Sequence, residues 1–164
     1  MQFEALHALY NQRQFEQVLE QLSHPNTPQL LWLKGEALRG LTRFEEAEQA
    51  HRDALALQAD FANSLLGLGV SLTAQGRYDD AIAHFDAVLA DNPGFEAALN
   101  ARALAFQQQG NFEDAIEAYH GALDVHFERV ANRIIHEQGI THEDPGLFKH
   151  VMFNELKRKP FTAI

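Results

Sequence analysis

Three short segments decide the fold: Arg43-Phe44-Glu45-Glu46-Ala47, Arg77-Tyr78-Asp79-Asp80-Ala81 and Asn111-Phe112-Glu113-Asp114-Ala115. Their alanines stand 34 residues apart each time, and the agreement spreads outward in both directions. Upstream, at matched spacing, come Leu31, Leu65 and Leu99, then the small residues Gly35, Gly69 and Ala103, then Leu38, Leu72 and Phe106. Downstream, His51, Phe85 and Tyr119 keep the same interval. Self-similarity at a fixed period of this length marks a repeat array. Each unit is one supersecondary element that cannot bury its apolar face alone, so stacking supplies the core.

The residue types say what the unit is. Alanine, leucine, glutamine and glutamate dominate and β-branched residues are sparse, which favours helix over strand. Gly35, Gly69, Ala81 and Ala115 are small enough for two antiparallel helices to approach closely, while large apolar residues fill the space between neighbouring pairs. Gly76 and Gly110 fall between the two helices of a pair, where a left-handed backbone is cheap only for glycine. Asp91-Asn92-Pro93 ends one pair and prepares the next.

These residues resemble the tetratricopeptide repeat (TPR) family, whose pattern runs W-x2-L-G-x2-Y, A-x3-F, A and P over its period. The middle unit matches it with Leu65, Leu68-Gly69, Leu72, Gly76, Tyr78, Ala81, Phe85 and Pro93. The first unit departs by placing Thr42 where a turn glycine is usual and by lacking the terminal proline; the third has Arg102 before its small residue. The resemblance implies an all-α, right-handed superhelix of antiparallel helix pairs. Three full repeats are expected over residues 28–126, divided as 28–61, 62–95 and 96–126. A degenerate capping pair is expected over residues 1–27, where Leu6, Leu9 and Arg13-Gln14-Phe15-Glu16-Gln17-Val18 echo the pattern before His24-Pro25-Asn26-Thr27-Pro28 interrupts it. Beyond Val125 the period stops. Residues 127–164 read as a capping helix from Phe127 to Gln138, a loop, and a last helix from Leu147 to Lys157 with a short tail.

Charge narrows the partners. The net charge of the chain is −10. Residues 1–126 hold 7 Lys and Arg against 18 Asp and Glu, whereas residues 127–164 hold 6 against 5. An acidic surface repels phosphate backbones and anionic headgroups, so nucleic acid and membrane insertion are excluded as default partners. There are no cysteines, which removes disulfide frameworks, thiolate zinc sites and cysteine nucleophiles. Met1-Gln2-Phe3-Glu4-Ala5-Leu6-His7 does not read as a signal peptide, and the expected location is cytoplasmic.

In TPR superhelices the first helix of each pair lines a concave face that binds peptides. The resemblance therefore implies a groove from Trp32, Leu33, Glu36 and Arg39, then Asn63, Leu66, Gly67, Val70 and Ala74, then Ala97, Asn100, Ala101, Leu104 and Gln108. Its lining is mostly apolar, with Asn63, Asn100 and Gln108 as hydrogen-bond sources, and suits an amphipathic helix or an extended segment with apolar anchors. The family's carboxylate clamp of lysine, arginine and asparagine is missing: its positions hold Trp32, Glu36, Gly67, Ala97 and Ala101. The expected function is an adaptor or scaffold binding a peptide or helical segment of a protein partner, with neither cofactor nor catalysis. The alternatives are a small holding chaperone resembling type III secretion translocator chaperones, a metal-dependent enzyme using the C-terminal His and Glu cluster from His136 to His150, and self-association through the groove or the C-terminal helix.

Nothing else in the chain rises to a catalytic signature. His136, His142, Glu143, Asp144 and His150 could ligate a divalent ion, but their spacing fits no metal motif and the loop needs that composition for solvation. Phosphate-binding glycine loops and nucleophile elbows are absent. Glu45-Glu46 and Asp79-Asp80 open second helices, where acidic groups favour the positive end of the helix dipole.

Overall fold

The computed structural model describes the backbone of residues 2–138 and the side chains of residues 3–129. Among the described residues there are eight helices and no strand: α1 (Gln2–Asn11), α2 (Phe15–Gln21), α3 (Pro28–Gly40), α4 (Phe44–Leu57), α5 (Ala62–Ala74), α6 (Tyr78–Asp91), α7 (Glu96–Gln109) and α8 (Phe112–Gln138). Each helix packs on the next through α7, and the first helices of successive pairs also touch, α3 on α5 and α5 on α7. This is the all-helical TPR stack the repeat implied. Residues 1–122 make one compact unit and the chain from Leu123 makes another.

Turn geometry is copied from unit to unit whatever residue occupies it. The N–H of Arg43 donates to the Leu38 carbonyl at 2.9 Å, Arg77 to Leu72 at 2.9 Å, Asn111 to Phe106 at 2.9 Å and Gln14 to Leu9 at 3.0 Å. The residue before each donor bonds three positions back, completing the six-residue closure that satisfies the last helical carbonyls. That residue is left-handed every time: Gly76 at φ 76° and Gly110 at φ 87°, but also Thr42 at φ 59° and Arg13 at φ 60°. Threonine and arginine hold the turn against a local cost of about 1–2 kcal/mol, because the surrounding packing fixes the geometry.

Helix starts are equally explicit. The Thr27 side chain accepts from the Leu30 N–H at 3.3 Å and Pro28 occupies the first helical position, so the proline-rich stretch opens α3 as well as ending the first pair. At the second helices a side-chain clamp spans the first turn: Arg43 to Glu46 at 2.6 Å, Arg77 to Asp80 at 2.7 Å, and Asn111 to Asp114. Its acidic member sits where the helix dipole favours a negative charge.

The degenerate first pair behaves as a full packing unit. Leu6 and Val18 join Leu22, Leu33 and Ala37 in one buried cluster, flanked by Phe3, Leu9, Tyr10, Phe15 and Trp32. A second cluster holds Leu68, Leu72, Ala81, Phe85 and Ala105. The separate helix expected from Phe127 does not exist, because α8 runs unbroken from Phe112 to Gln138. No proline or glycine follows Gly121 before Gly139, so nothing stops a helix already propagating. The loop and the last helix from Leu147, with His142, Glu143, Asp144 and His150, lie outside the described residues, and the side chain of His136 does too.

Candidate functional site

The first helices of successive pairs pack side by side, and a concavity of about 150 Å³ opens between α3 and α5. Trp32, Glu36 and Arg39 line it from α3; Asn63, Leu66, Gly67 and Val70 line it from α5. Trp32, Leu66 and Val70 are half-buried and Asn63 is exposed, so apolar side chains border the opening beside polar ones. Seven of the fourteen expected groove residues meet here: Trp32, Glu36, Arg39, Asn63, Leu66, Gly67 and Val70. On α7, Asn100, Leu104 and Gln108 are exposed and Ala101 is half-buried, but none borders this recess.

Leu33 is a correction. It is fully buried among Leu6, Val18 and Leu22 and presents no surface to a partner. Its equivalents one and two repeats on are Gly67 and Ala101, the position of a first helix that faces the preceding pair. The pattern offers the distinction in retrospect, since that position is large at Leu33 and small at Gly67 and Ala101, where the previous second helix inserts His51 or Phe85.

Behind the recess lies a buried polar layer. His51 of α4 is fully buried, with its ring wedged between two glycines. A methyl added to Gly35 would come within 2.5 Å of His51 Cε1, and one added to Gly67 within 2.5 Å of Nε2. Neither ring nitrogen has a hydrogen-bond partner, and burial pushes the imidazole down to about 4 against the opposing pull of Glu36. The ring is therefore neutral at physiological pH. Its Nε2 lies 3.6 Å from Glu36 Oε1, too far for a hydrogen bond.

Glu36 is held from the other side. Its Oε2 accepts from Arg39 Nη2 at 2.5 Å and from the Tyr10 hydroxyl at 3.3 Å, while Oε1 takes only a long contact from Arg39 Nε at 3.4 Å. Burial and the Glu36 carboxylate push the Tyr10 phenol up, which keeps it a donor. Tyr10 was invisible as a site residue, because it sits in the degenerate pair where no repeat position flags it. Beside it, Phe3, His7, Tyr10 and Trp32 form a chain of aromatic contacts at 5.6–6.4 Å. Trp32 is thus both a packing residue and a wall of the recess.

The histidines placed near matching positions of the second helices diverge: His51 is buried, His84 half-buried and His120 exposed. Among the described residues no three His, Asp or Glu side chains are grouped to hold a metal ion. Nor is any described helix long and apolar enough to cross a membrane.

A family model of the tetratricopeptide repeat matches residues 33–97, 66–126 and 100–134. The chain belongs to that family, a class of helical scaffolds for protein–protein contact. Among solved structures it is similar to MamA, with 20% identity, a TM-score of 0.70 and 78% of each chain covered. It is similar also to MamA from Desulfovibrio magneticus RS-1, with 20% identity, a TM-score of 0.67, and 94% of this chain and 92% of that one covered. YrrB, described as a TPR protein with an unusual peptide-binding site, shares 22% identity at a TM-score of 0.61, over 73% of this chain and 63% of its own. At these identities the likeness concerns the fold. No curated protein sequence matches the chain.

Proposed function

We propose that the wall formed by α3, α5 and α7 seats a peptide or helical segment of a protein partner, with its apolar anchors in the recess between α3 and α5. The supporting observation is the half-buried trio Trp32, Leu66 and Val70 around an open concavity between α3 and α5. A leucine-sized anchor gains about 1.5–3 kcal/mol on burial, so two anchors supply a large part of a micromolar affinity. Asn63, Asn100 and Gln108 stand exposed along the same wall and can take up backbone groups of the guest. YrrB, which shares the fold, is described as having a peptide-binding site, and that precedent favours the reading. The protein is read as a non-catalytic, cofactor-free cytoplasmic adaptor.

The test compares capture of partners from native lysate by the wild type and by a Leu66→Glu/Val70→Glu variant. Both sites are partly solvated, so the variant is expected to keep its helical circular dichroism and thermal transition. A partner lost only in the variant supports the groove. Equal capture by both proteins moves the site elsewhere.

A further inference from the structure

The first turns of α8 leave bare a face that α6 covers. Phe112 is 64% exposed and Ile116 58%. Their equivalents one repeat earlier, Tyr78 and Ile82, are both half-buried, because α7 follows α6 and packs on it. Phe85, fully buried in that junction, corresponds to Tyr119, which is only half-buried. We propose that this face of α8 docks a helix of a partner protein, seated as α7 is on α6 and carrying lysine or arginine beside its apolar stripe. The surface lies on a second helix, away from the groove lined by first helices, and the proposal does not depend on the groove.

The junction between α6 and α7 shows what fits such a face. There α7 brings the small residues Ala101 and Ala105, one turn apart, into the cluster that holds Phe85 and Ile82. Its polar edge reaches back to acids of α6. Gln109 Nε2 donates to Asp79 at 2.6 Å, and Arg102 Nη1 pairs with Asp86 at 2.8 Å. One repeat on, Glu113 stands where Asp79 does, and Glu117 follows it one turn later beside Phe112 and Ile116. Both glutamates are exposed, and neither has an ion-pair partner among the described residues.

Charge decides the occupant. Residues 112–122 hold Glu113, Asp114 and Glu117 and no lysine or arginine. A second copy of the chain has no exposed large apolar side chain among the described residues of its first pair with which to continue the stack. Set face to face, two copies would bring carboxylates together with no lysine or arginine between them, which is unfavourable. A partner helix with lysine or arginine along one edge meets Glu113 and Glu117 instead, while its stripe buries Phe112 and Ile116. On the α6 template the first cation belongs where α7 carries Gln109. The same acidic edge turns away acidic helices, so the face selects by repulsion as well as attraction.

The experiment has two parts, both on the full chain. The protein has no cysteine, so Ile116→Cys places a single reporter thiol on the face. Its reaction with an aromatic disulfide reagent is expected to run at the rate of an open thiol at every protein concentration. A slow rate independent of concentration would mean that the chain covers the face itself, and one that slows as concentration rises would mean that a second copy does; either overturns the proposal. A displayed library of helical peptides, with an apolar stripe at i and i+4 and randomised flanks, is then panned on wild type, Phe112→Ser/Ile116→Ser and Glu113→Gln/Glu117→Gln. Every substituted side chain is exposed, so the variants are expected to keep the helical circular dichroism of wild type. Wild type should enrich lysine and arginine beside the stripe, and the winners should slow the Ile116→Cys reaction. They should bind Glu113→Gln/Glu117→Gln about tenfold more weakly and Phe112→Ser/Ile116→Ser not at all. Winners without basic flanks, or bound equally after Glu113→Gln/Glu117→Gln, would overturn the partner chemistry. Winners indifferent to Phe112 and Ile116, or no winners, would overturn the site.

Discussion

Two successive junctions of the stack make the same joint from different materials. Between the second and third repeats, Phe85 of α6 inserts its ring against Gly69 on one side, with Ala101 packed at the edge of the same cluster. Between the first and second repeats, His51 of α4 takes the equivalent place, but glycine stands on both sides, at Gly35 and Gly67. The later junction is an ordinary apolar one. The earlier one buries an imidazole with no partner for either nitrogen, next to a carboxylate, beneath the only stretch of wall that places Trp and Glu at these positions. A repeat protein can hold its backbone constant and still make one junction chemically unlike its neighbours. The unlike junction is where we place recognition.

The largest expected effect that would sharpen this contrast is in pH. The His51 imidazole is lowered from its ordinary 6.5 to about 4, so the unfolded chain binds the proton more readily than the folded one. Stability from this group is complete above pH 6.5 and is lost as pH falls towards 4, by about 3 kcal/mol in total. His51→Phe, which copies Phe85, should remove that part of the acid dependence. Denaturant midpoints of the two proteins should separate as pH falls from 7 to 4, with the variant the more stable. Parallel curves would mean that the imidazole is solvated or paired.

Next in size is backbone approach. Gly67→Ala and Gly35→Ala push a methyl into a ring wedged from both sides, and each should destabilise by about 1–3 kcal/mol. Gly121→Ala, on α8, meets nothing within 4 Å and removes a glycine from a helix interior. It should stabilise by up to about 1 kcal/mol. Opposite signs in urea titrations would confirm that the glycines around His51 are there for space. A stabilised Gly67→Ala would show the junction to be loose.

The smallest effect concerns the turns. Thr42 holds at φ 59° the left-handed place that Gly76 holds at φ 76°. Thr42→Gly should therefore stabilise, and Gly76→Thr destabilise, each by about 1 kcal/mol. Differential scanning calorimetry on the pair measures both, and a lowered transition for Thr42→Gly would contradict the account.

The stack itself was legible because a period is an internal comparison: Ala47, Ala81 and Ala115 align without outside help, and small residues opposite large ones specify helix pairs. The turns were legible even at Thr42, whose departure altered the local strain and not the geometry. Half of the residues expected along the groove come together at the recess for the same reason, since repeat position fixes which way a first-helix side chain looks. Leu33 was misplaced because position alone does not say whether the preceding helix needs a knob or a hole there; that depends on Val18 in a pair too degenerate to align. Tyr10 and the orphaned state of His51 depend on distances between non-repeating side chains, and periodicity is blind to those. The boundary expected at Phe127 failed because the end of a repeat pattern is not the end of a helix.

The most direct test of the central claim uses Trp32 as the reporter, since it is the only tryptophan and stands on the wall of the recess. A peptide segment of a partner that the wild type captures and Leu66→Glu/Val70→Glu does not is titrated into the wild-type protein while tryptophan emission is followed. The account predicts a saturable change in intensity and wavelength, at the concentration where the peptide binds, and no change in Leu66→Glu/Val70→Glu. Binding of that peptide with the Trp32 emission unmoved would contradict it.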